Sequence, residues 1–336
     1  MMISVIATVL NEGDNIHRLM QGFLDQTQQP DEIVIVDGGS VDNTVTTIES
    51  YSDRLPLRIV VEKGCNISEG RNRAIAEAQG DIIAATDAGV RLHPEWLERI
   101  TAPLLQDESV QVVSGFFLPD TYTAFEIAMG ATVLPQPDEI DPTHFLPSSR
   151  SVAFRKAAAE HIGGYPEWLD FCEDLVFDLR LKEALGNFVF APDAIVYFQP
   201  RTNWRAYFKQ YYRYARGDGK ANLWRKRHIT RYATYLLAAP IIFLLGLWVH
   251  PLLWGLFLIG GAVYLYQPYR RLPRVMANSH VNPTPLVWMK AIVLIPLIRL
   301  VGDIAKMIGY PVGWRWRRQH NPPEWRWQRG QAQQLQ

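Results

Sequence analysis

The sequence predicts an α/β domain on a mostly parallel sheet with helices on both faces, followed by a transmembrane helical hairpin and an amphipathic interfacial helix. Three observations predict it. Apolar runs of strand length alternate with stretches of helical spacing from the first residues onward. From Tyr232 to Tyr269, 38 residues contain no Lys, Arg, Asp or Glu. Charge is also divided along the chain: residues 1–200 hold 13 Lys+Arg against 31 Asp+Glu, whereas residues 201–336 hold 21 against 3. The formal charge of zero therefore conceals an acidic region joined to a basic one. With 336 residues, 48% hydrophobic and 20% charged, the chain is long enough for about two domains and too apolar for a disordered or collagen-like polymer.

From the N-terminus, ISVIATV (3–9) reads as a buried strand, and the segment after it places Ile16, Leu19, Met20 and Phe23 on one helical face. Ile33 to Val36 form a second strand that ends in the Gly-rich turn DGGS, and a helix begins near Val45. LRIVVE is a third strand, SEGRNRAIAEAQG a helix, and DIIAATDAG a fourth strand. In such sheets ligands bind beyond the carboxyl ends of the strands. Those ends carry Thr8, Asn11 and Glu12, then Asp37, Gly38, Gly39 and Ser40, then Asp87. Carboxylates there accept from a base N–H or a ribose hydroxyl, while glycines let backbone N–H groups approach a phosphate.

The uncharged run is too long for one helix. At about 1.5 Å per residue it would reach roughly 57 Å, against a hydrocarbon core of about 30 Å. His250-Pro251 divides it into two spans. Ten Lys/Arg lie between Arg201 and Arg231, and Arg270, Arg271 and Arg274 follow the second span, so both ends are expected in the cytoplasm. Leu286 to Tyr310 is expected to lie in the interface, because Arg299, Asp303 and Lys306 share one helical face. The tail GWRWRRQH, with interleaved Trp and Arg, suits a headgroup layer better than a nucleic acid. No secretory signal is read in MMISVIATVL, which leaves the first region cytoplasmic. Cys65 and Cys172 have neither the number nor the spacing of a disulfide framework or a metal site.

Order and spacing of the motifs resemble the family 2 glycosyltransferases, over about the first 220 residues. VIATVLNEGDNI stands where that family has its opening strand and Asn-Glu turn, and DEIVIVDGGSVDNT resembles its uridine-binding Asp turn. SEGRNRAIAEAQGDIIAATDAG resembles its Arg-Asn helix and Asp-x-Asp strand, GGYPEWLDFCEDLVFDLRLKEALG its Gly-Gly segment and Glu-Asp motif, and QYYRY its Gln-x-x-Arg-Trp motif. The resemblance implies the Rossmann-like GT-A fold over residues 1–225, with the hairpin at 226–270 and the interfacial helix and tail at 271–336.

It also implies site roles. Thr8, Asn11, Glu12, Asp37, Ser40, Arg71, Asn72 and Asp87 would bind the nucleotide-sugar donor. Asp37 would hold the base, Asn11 and Glu12 the ribose, and Arg71 the diphosphate or the uracil. Asp174, with Glu173, would supply the general base, and Gln210, Arg213 and Tyr214 would meet the leaving group and acceptor. Two positions depart from the pattern: Gly89 replaces the second Asp of Asp-x-Asp, leaving Asp87 alone for a Mg²⁺ or Mn²⁺ cofactor, and Tyr214 replaces Trp. The expected activity is inverting transfer of a sugar from a UDP- or GDP-type donor to a lipid or lipid-linked glycan, at a multi-pass membrane protein whose catalytic region is cytoplasmic. A processive polysaccharide synthase, a polyprenyl-phosphate sugar synthase and a non-catalytic scaffold of the same fold are the rival readings.

Overall fold

The computed structural model describes residues 1–326, and these form two compact units. The first comprises residues 1–118 and 137–199, together with residues 323–326; the second comprises residues 119–136 and 200–322.

The first unit contains an eight-stranded sheet in the order β3-β2-β1-β4-β7-β6-β8-β5. Its strands are β1 (Ile3–Val9), β2 (Glu32–Asp37), β3 (Leu57–Val61), β4 (Ile82–Ala85), β5 (Val90–Leu92), β6 (Val112–Pro119), β7 (Val152–Arg155) and β8 (Val189–Phe198). β3, β2, β1 and β4 are parallel, as the alternation with helices predicts. Beyond β4 the pairing changes: β7 runs antiparallel to β4 and to β6, and β5 antiparallel to β8. The sheet is therefore mixed, not mostly parallel, because the later strands return by routes other than the helical crossover that parallel pairing requires.

Helices cover both faces. On one, α1 (Ile16–Leu24), α2 (Thr44–Glu49) and α4 (Trp96–Gln106) bury Ile16, Leu19, Met20, Phe23, Ile48, Trp96 and Ile100 against Val5, Ala7, Ile33 and Ile35. On the other, α3 (Ile67–Glu77), α6 (Lys156–His161) and α7 (Glu173–Leu185) bury Ala74, Ala158 and Phe177 against Ile6, Val34, Val36 and Ile83. Successive strand residues point to opposite faces, so one run such as EIVIVD feeds both cores and none of its side chains reaches water.

The second unit is helical: α5 (Ala124–Val133), α8 (Trp204–Lys220), α9 (Arg225–Ala233), α10 (Ala239–Trp248), α11 (Gly255–Ala277) and α12 (Pro285–His320). Its core joins Ile127 and Met129 of α5, Tyr207 of α8, Leu272 and Val275 of α11, and Ala291, Ile295 and Ile298 of α12. α5 and α8 thus belong with the C-terminal helices, so the division falls at residues 119–136 and 200 and not at the expected 225. α8 and α12 pack backbone to backbone. A Cβ on Gly309 would lie 2.2 Å from the Tyr212 carbonyl oxygen, and one on Gly313 1.9 Å from that of Arg216. Small residues at such spacing let helices approach where hydrophobic driving force is weak.

α9, a π-helical turn over Thr234–Ala238 and α10 run continuously as Arg225–Trp248. Among the described residues this is the one helix long and apolar enough to cross a membrane. The expected break at His250-Pro251 is present: the His250 ring accepts from Leu252 N–H, and a 3-10 turn, Pro251–Trp254, precedes α11. The expected second full span is not matched, because α11 turns polar at Gln267 and continues through Arg270, Arg271 and Arg274. Its apolar part, Gly255 to Tyr266, is roughly 18 Å of helix at about 1.5 Å per residue.

α12 also differs from expectation. It runs 36 residues, through Pro296 and Pro311, and includes the GWRWRRQH segment as helix. Its charged face points inward: Asp303 accepts from Arg231 at 2.7 Å and from the hydroxyls of Tyr235 (3.1 Å) and Tyr264. Leu286, Met289, Val293, Leu297, Leu300, Ile304 and Ile308 are exposed instead. The polar side chains of this unit therefore meet one another inside it, and many of its apolar side chains are left on the outside.

Candidate active site

Parallel register brings the predicted residues to one edge of the sheet. Val9, the last residue of β1, pairs with Asp37, the last of β2, while Ala85 ends β4 on the other side of β1. Neighbouring strands lie about 4.8 Å apart, so the turns leaving Val9, Asp37 and Ala85 share one rim.

Asp37 is fully buried and organises its own turn. Its carboxylate accepts from the N–H groups of Gly39 and Ser40, both at 2.9 Å, and from the Ser40 hydroxyl. Gly39 has φ +96°, a left-handed conformation that costs a residue with a Cβ but not glycine. Ser40 Oγ in turn accepts from Asn11 N–H at 2.8 Å, and the Asn11 side chain accepts from Val41 N–H at 2.9 Å. Asn11 itself sits at φ +52°. The turns after β1 and β2 are thereby tied into one piece, with Glu12 N–H donating to Thr44 Oγ1 at 2.9 Å. Thr8 instead packs its methyl toward α3, where a Cβ on Gly70 would lie 3.0 Å away.

α3 carries Arg71 to the same rim. Asn66 caps the helix, accepting from Ser68 and Glu69 N–H, while the Glu69 carboxylate accepts from Asn66 N–H at 2.7 Å. One turn on, Arg71 donates to Asp87 at 2.8 Å and to Glu173 at 2.7 Å. Its guanidinium lies 5.2 Å from the Tyr165 ring centroid. Burial alone would depress the Arg71 pKa, but Asp87 and Glu173 outweigh it and hold the group charged. For Asp87, burial pushes upward, and Arg71 with Arg150 overcomes it to keep the carboxyl below its ordinary range.

Asn72 does not face the rim. Its amide nitrogen donates to the Tyr165 carbonyl and to Glu167, both at 2.9 Å, and its oxygen accepts from Tyr165 N–H at 2.7 Å. Its side chain holds the loop after Gly163-Gly164 in place; both glycines have positive φ, and a Cβ on Gly164 would meet the Asn72 oxygen at 2.4 Å.

That loop leads to Cys172, at φ +65°, directly before α7. Glu173 and Asp174 open the helix, where carboxylates favour the dipole. Glu173 is buried, and burial followed by the charge of Asp174 raises its pKa to about 7 despite Arg71. Asp174 is half-buried and accepts from Ser148 Oγ at 3.2 Å and from Leu175 N–H at 2.8 Å.

Two further residues belong here that the motifs did not reveal. Arg150 approaches Asp87 at 3.4 Å and stacks over Phe198 at 4.4 Å; only its place ahead of a buried strand could have singled it out. Asp178, one turn beyond Asp174, is fully buried with neither carboxylate oxygen partnered among the described residues, and burial followed by Asp174 raises its pKa well above the ordinary value. The helical i, i+4 spacing of two acids was the available signal.

For a divalent cation the chain by itself presents one carboxylate, not a preformed site. Both oxygens of Asp87 face guanidinium groups, and no group of three His, Cys, Asp or Glu suited to a metal occurs among the described residues.

Gln210, Arg213 and Tyr214 lie in the second unit on α8. Gln210 donates to the Tyr214 hydroxyl at 2.7 Å, while its Oε1 is buried without a hydrogen-bond partner among the described residues.

The fold and this rim can be set beside known proteins. Residues 4–160 match the Glycosyl transferase family 2 domain. The protein is a glycosyltransferase. This glycosyltransferase is 27% identical over 248 residues to glycosyltransferase AglE of Haloferax volcanii, covering 71% of the chain and 80% of that protein. It is 27% identical over 204 residues to the O-antigen chain rhamnosyltransferase WbaN of Salmonella anatum, covering 55% of the chain and 63% of the relative. Among solved structures it resembles the mannosyltransferase PcManGT of Pyrobaculum calidifontis in complex with GDP-Man and Mn²⁺ (TM-score 0.55, 18% identity, 95% of this chain and 87% of that one). It also resembles S. aureus TarS 1-349 in complex with UDP (TM-score 0.50, 19% identity, 95% and 92%). At those identities the likeness concerns the GT-A fold.

Proposed function

We propose that this glycosyltransferase moves a sugar from a UDP- or GDP-linked donor to a lipid or lipid-linked glycan at a membrane, with inversion at the anomeric carbon. One observation carries the reading: the Asp37 turn and the Arg71–Asp87–Glu173 network share a sheet edge with Asp174. That combines a place for a nucleoside, buried positive charge for a diphosphate and a carboxylate for proton removal.

The residues divide the work. Asp37 holds the base, and the Asn11–Ser40 turn lines the ribose. Arg71 and Arg150 face the diphosphate and offset the charge that develops on it as the glycosidic bond breaks. Asp174 takes the proton from the acceptor hydroxyl as that oxygen attacks. Arg71 keeps Glu173 beside it at the start of α7. A divalent cation bound together with the donor would have Asp87 as its protein carboxylate and would supply further positive charge to the diphosphate. Gln210, Arg213 and Tyr214 are assigned to the acceptor or leaving group, a role that suits the unpartnered Gln210 oxygen.

Membrane attachment is supported by the apolar helix Arg225–Trp248 and by the exposed apolar side chains of α10, α11 and α12. The first helix enters the bilayer from the side that holds the basic flanks, and the turn at His250-Pro251 sends the chain back toward that side although the apolar part of α11 is shorter than a full span, which keeps both ends cytoplasmic. An acceptor with a lipid anchor fits a chain whose α8 leads straight into that hairpin. Incubation of the purified protein with radiolabelled UDP- and GDP-sugars and membrane lipid extract tests this: label should pass into the organic phase, and label found only in water-soluble product would exclude a lipid acceptor.

A further inference from the structure

The second unit contains a cavity of about 240 Å³ whose walls include Thr132 of α5, Tyr207 and Tyr211 of α8, Arg271 of α11, and Arg299 and Lys306 of α12. This is below the roughly 300 Å³ at which pockets for whole drug-sized ligands begin, and it suits a single headgroup better than a nucleotide. Three cationic side chains line it, with one carboxylate, Asp303. That carboxylate is already engaged by Arg231, Tyr235 and Tyr264. Lys306 Nζ lies 4.9 Å from the Tyr211 ring centroid. Arg299 donates one N–H to the Tyr264 carbonyl at 3.0 Å, while its Nε is buried with no acceptor among the described residues. Half-buried cations around one cavity repel one another, and an unmatched guanidinium N–H costs free energy unless an anion enters. The outer face of the same helix, Leu297, Leu300, Ile304 and Ile308, is apolar and exposed, which suits an acyl or prenyl chain beside the cavity.

We propose that the Arg271–Arg299–Lys306 cavity binds the phosphate group of a lipid. The site rests on the membrane reading of this unit and not on the transfer chemistry. Every residue named here belongs to the second unit, and none is a residue of the nucleotide rim. Its ligand is either an acceptor's phosphate or a structural phospholipid; the recognition chemistry is the same, a phosphate headgroup of net negative charge, with no choline-type cation beside it, held by guanidinium and ammonium groups with a tail outside.

The test is calorimetry on the full chain in detergent, with dihexanoyl phosphatidic acid, dihexanoyl phosphatidylcholine and inorganic phosphate as separate titrants. Saturable binding of phosphatidic acid is expected, weakened about tenfold by Arg299→Gln or by Lys306→Gln and retained by Lys306→Arg, which corresponds to losing one charge-assisted hydrogen bond. Inorganic phosphate binding as tightly as the lipid would make the ligand a soluble anion and overturn the lipid assignment. Equal binding of phosphatidylcholine, or affinities unchanged in both Gln variants, would overturn the site. Should a Gln variant fail to fold, the wild-type selectivity among the three titrants still decides. UDP titration of the same preparations separates this outcome from a failure of the donor reading.

Discussion

Arg71 reaches Glu173 across 102 residues of sequence with an N–H···O distance of 2.7 Å, and the same guanidinium holds Asp87 at 2.8 Å. A single side chain thus ties α3, the end of β4 and the start of α7 together. Arg71→Ala leaves a buried carboxylate and a partly buried one facing each other, so it should destabilise the fold by about 3–5 kcal/mol and remove UDP binding. Arg71→Lys should fold better but bind poorly, because an ammonium cannot fork between two carboxylates. Urea unfolding and UDP titration on both variants check this.

The buried acids of α7 give a pH signature. Glu173 titrates at about 7 in the folded chain and Asp178 well above its ordinary value, so near pH 5 to 6 the folded state holds protons that the unfolded chain has released. Their contribution is fully present below about pH 4 and is lost as pH rises toward and through the folded-state values. Asp178→Asn should therefore raise the unfolding temperature more at pH 7 than at pH 4. Equal gains at both pH values would mean that Asp178 is charged when folded.

Cation affinity should depend on the donor. Asp87 alone, already facing two guanidiniums, should give weak or undetectable Mn²⁺ binding to the free protein, and UDP should strengthen it. Gly89→Asp should tighten Mn²⁺ binding to the free protein, since a Cβ at Gly89 meets nothing within 4 Å. Calorimetry without nucleotide reads both, and tight Mn²⁺ binding by the wild type would reveal further ligands.

Topology is open to cysteine labelling. In a background lacking Cys65 and Cys172, cysteines placed near residue 215 and near residue 280 should be protected from an impermeant reagent in intact cells. Labelling of the latter from outside would mean that the first helix crosses and the second does not return.

The four parallel strands and their helices were legible because period-two and helical patterns are local, and Ile16, Leu19, Met20 and Phe23 all proved buried. The antiparallel half was not, since the pairing of β7 with β4 joins residues about 70 positions apart without a local signature. Hydropathy ends α12 near Tyr310, yet the helix runs on because Gly309 and Gly313 lock it against α8, a contact set by the partner's backbone. Its charged face was legible as a face but not its partners, because sequence alone does not show Arg231, Tyr235 and Tyr264 converging on Asp303. At the rim, Asp37 and Arg71 stood out by motif. Asn72 shares that motif and its amide is bonded to the loop at Tyr165 and Glu167, and Asp178 and Arg150 become visible only once α7 and β7 are in place.

The most direct measurement compares sugar transfer to membrane lipid by the wild type and by Asp174→Asn, each saturated with donor, alongside UDP affinity. With Asp174 as the base, the variant should bind UDP as the wild type does, turn over about a hundredfold more slowly or worse, and the wild-type product should carry the inverted anomer. Near-normal turnover by Asp174→Asn, or a product with retained configuration, would contradict single displacement with Asp174 as the base.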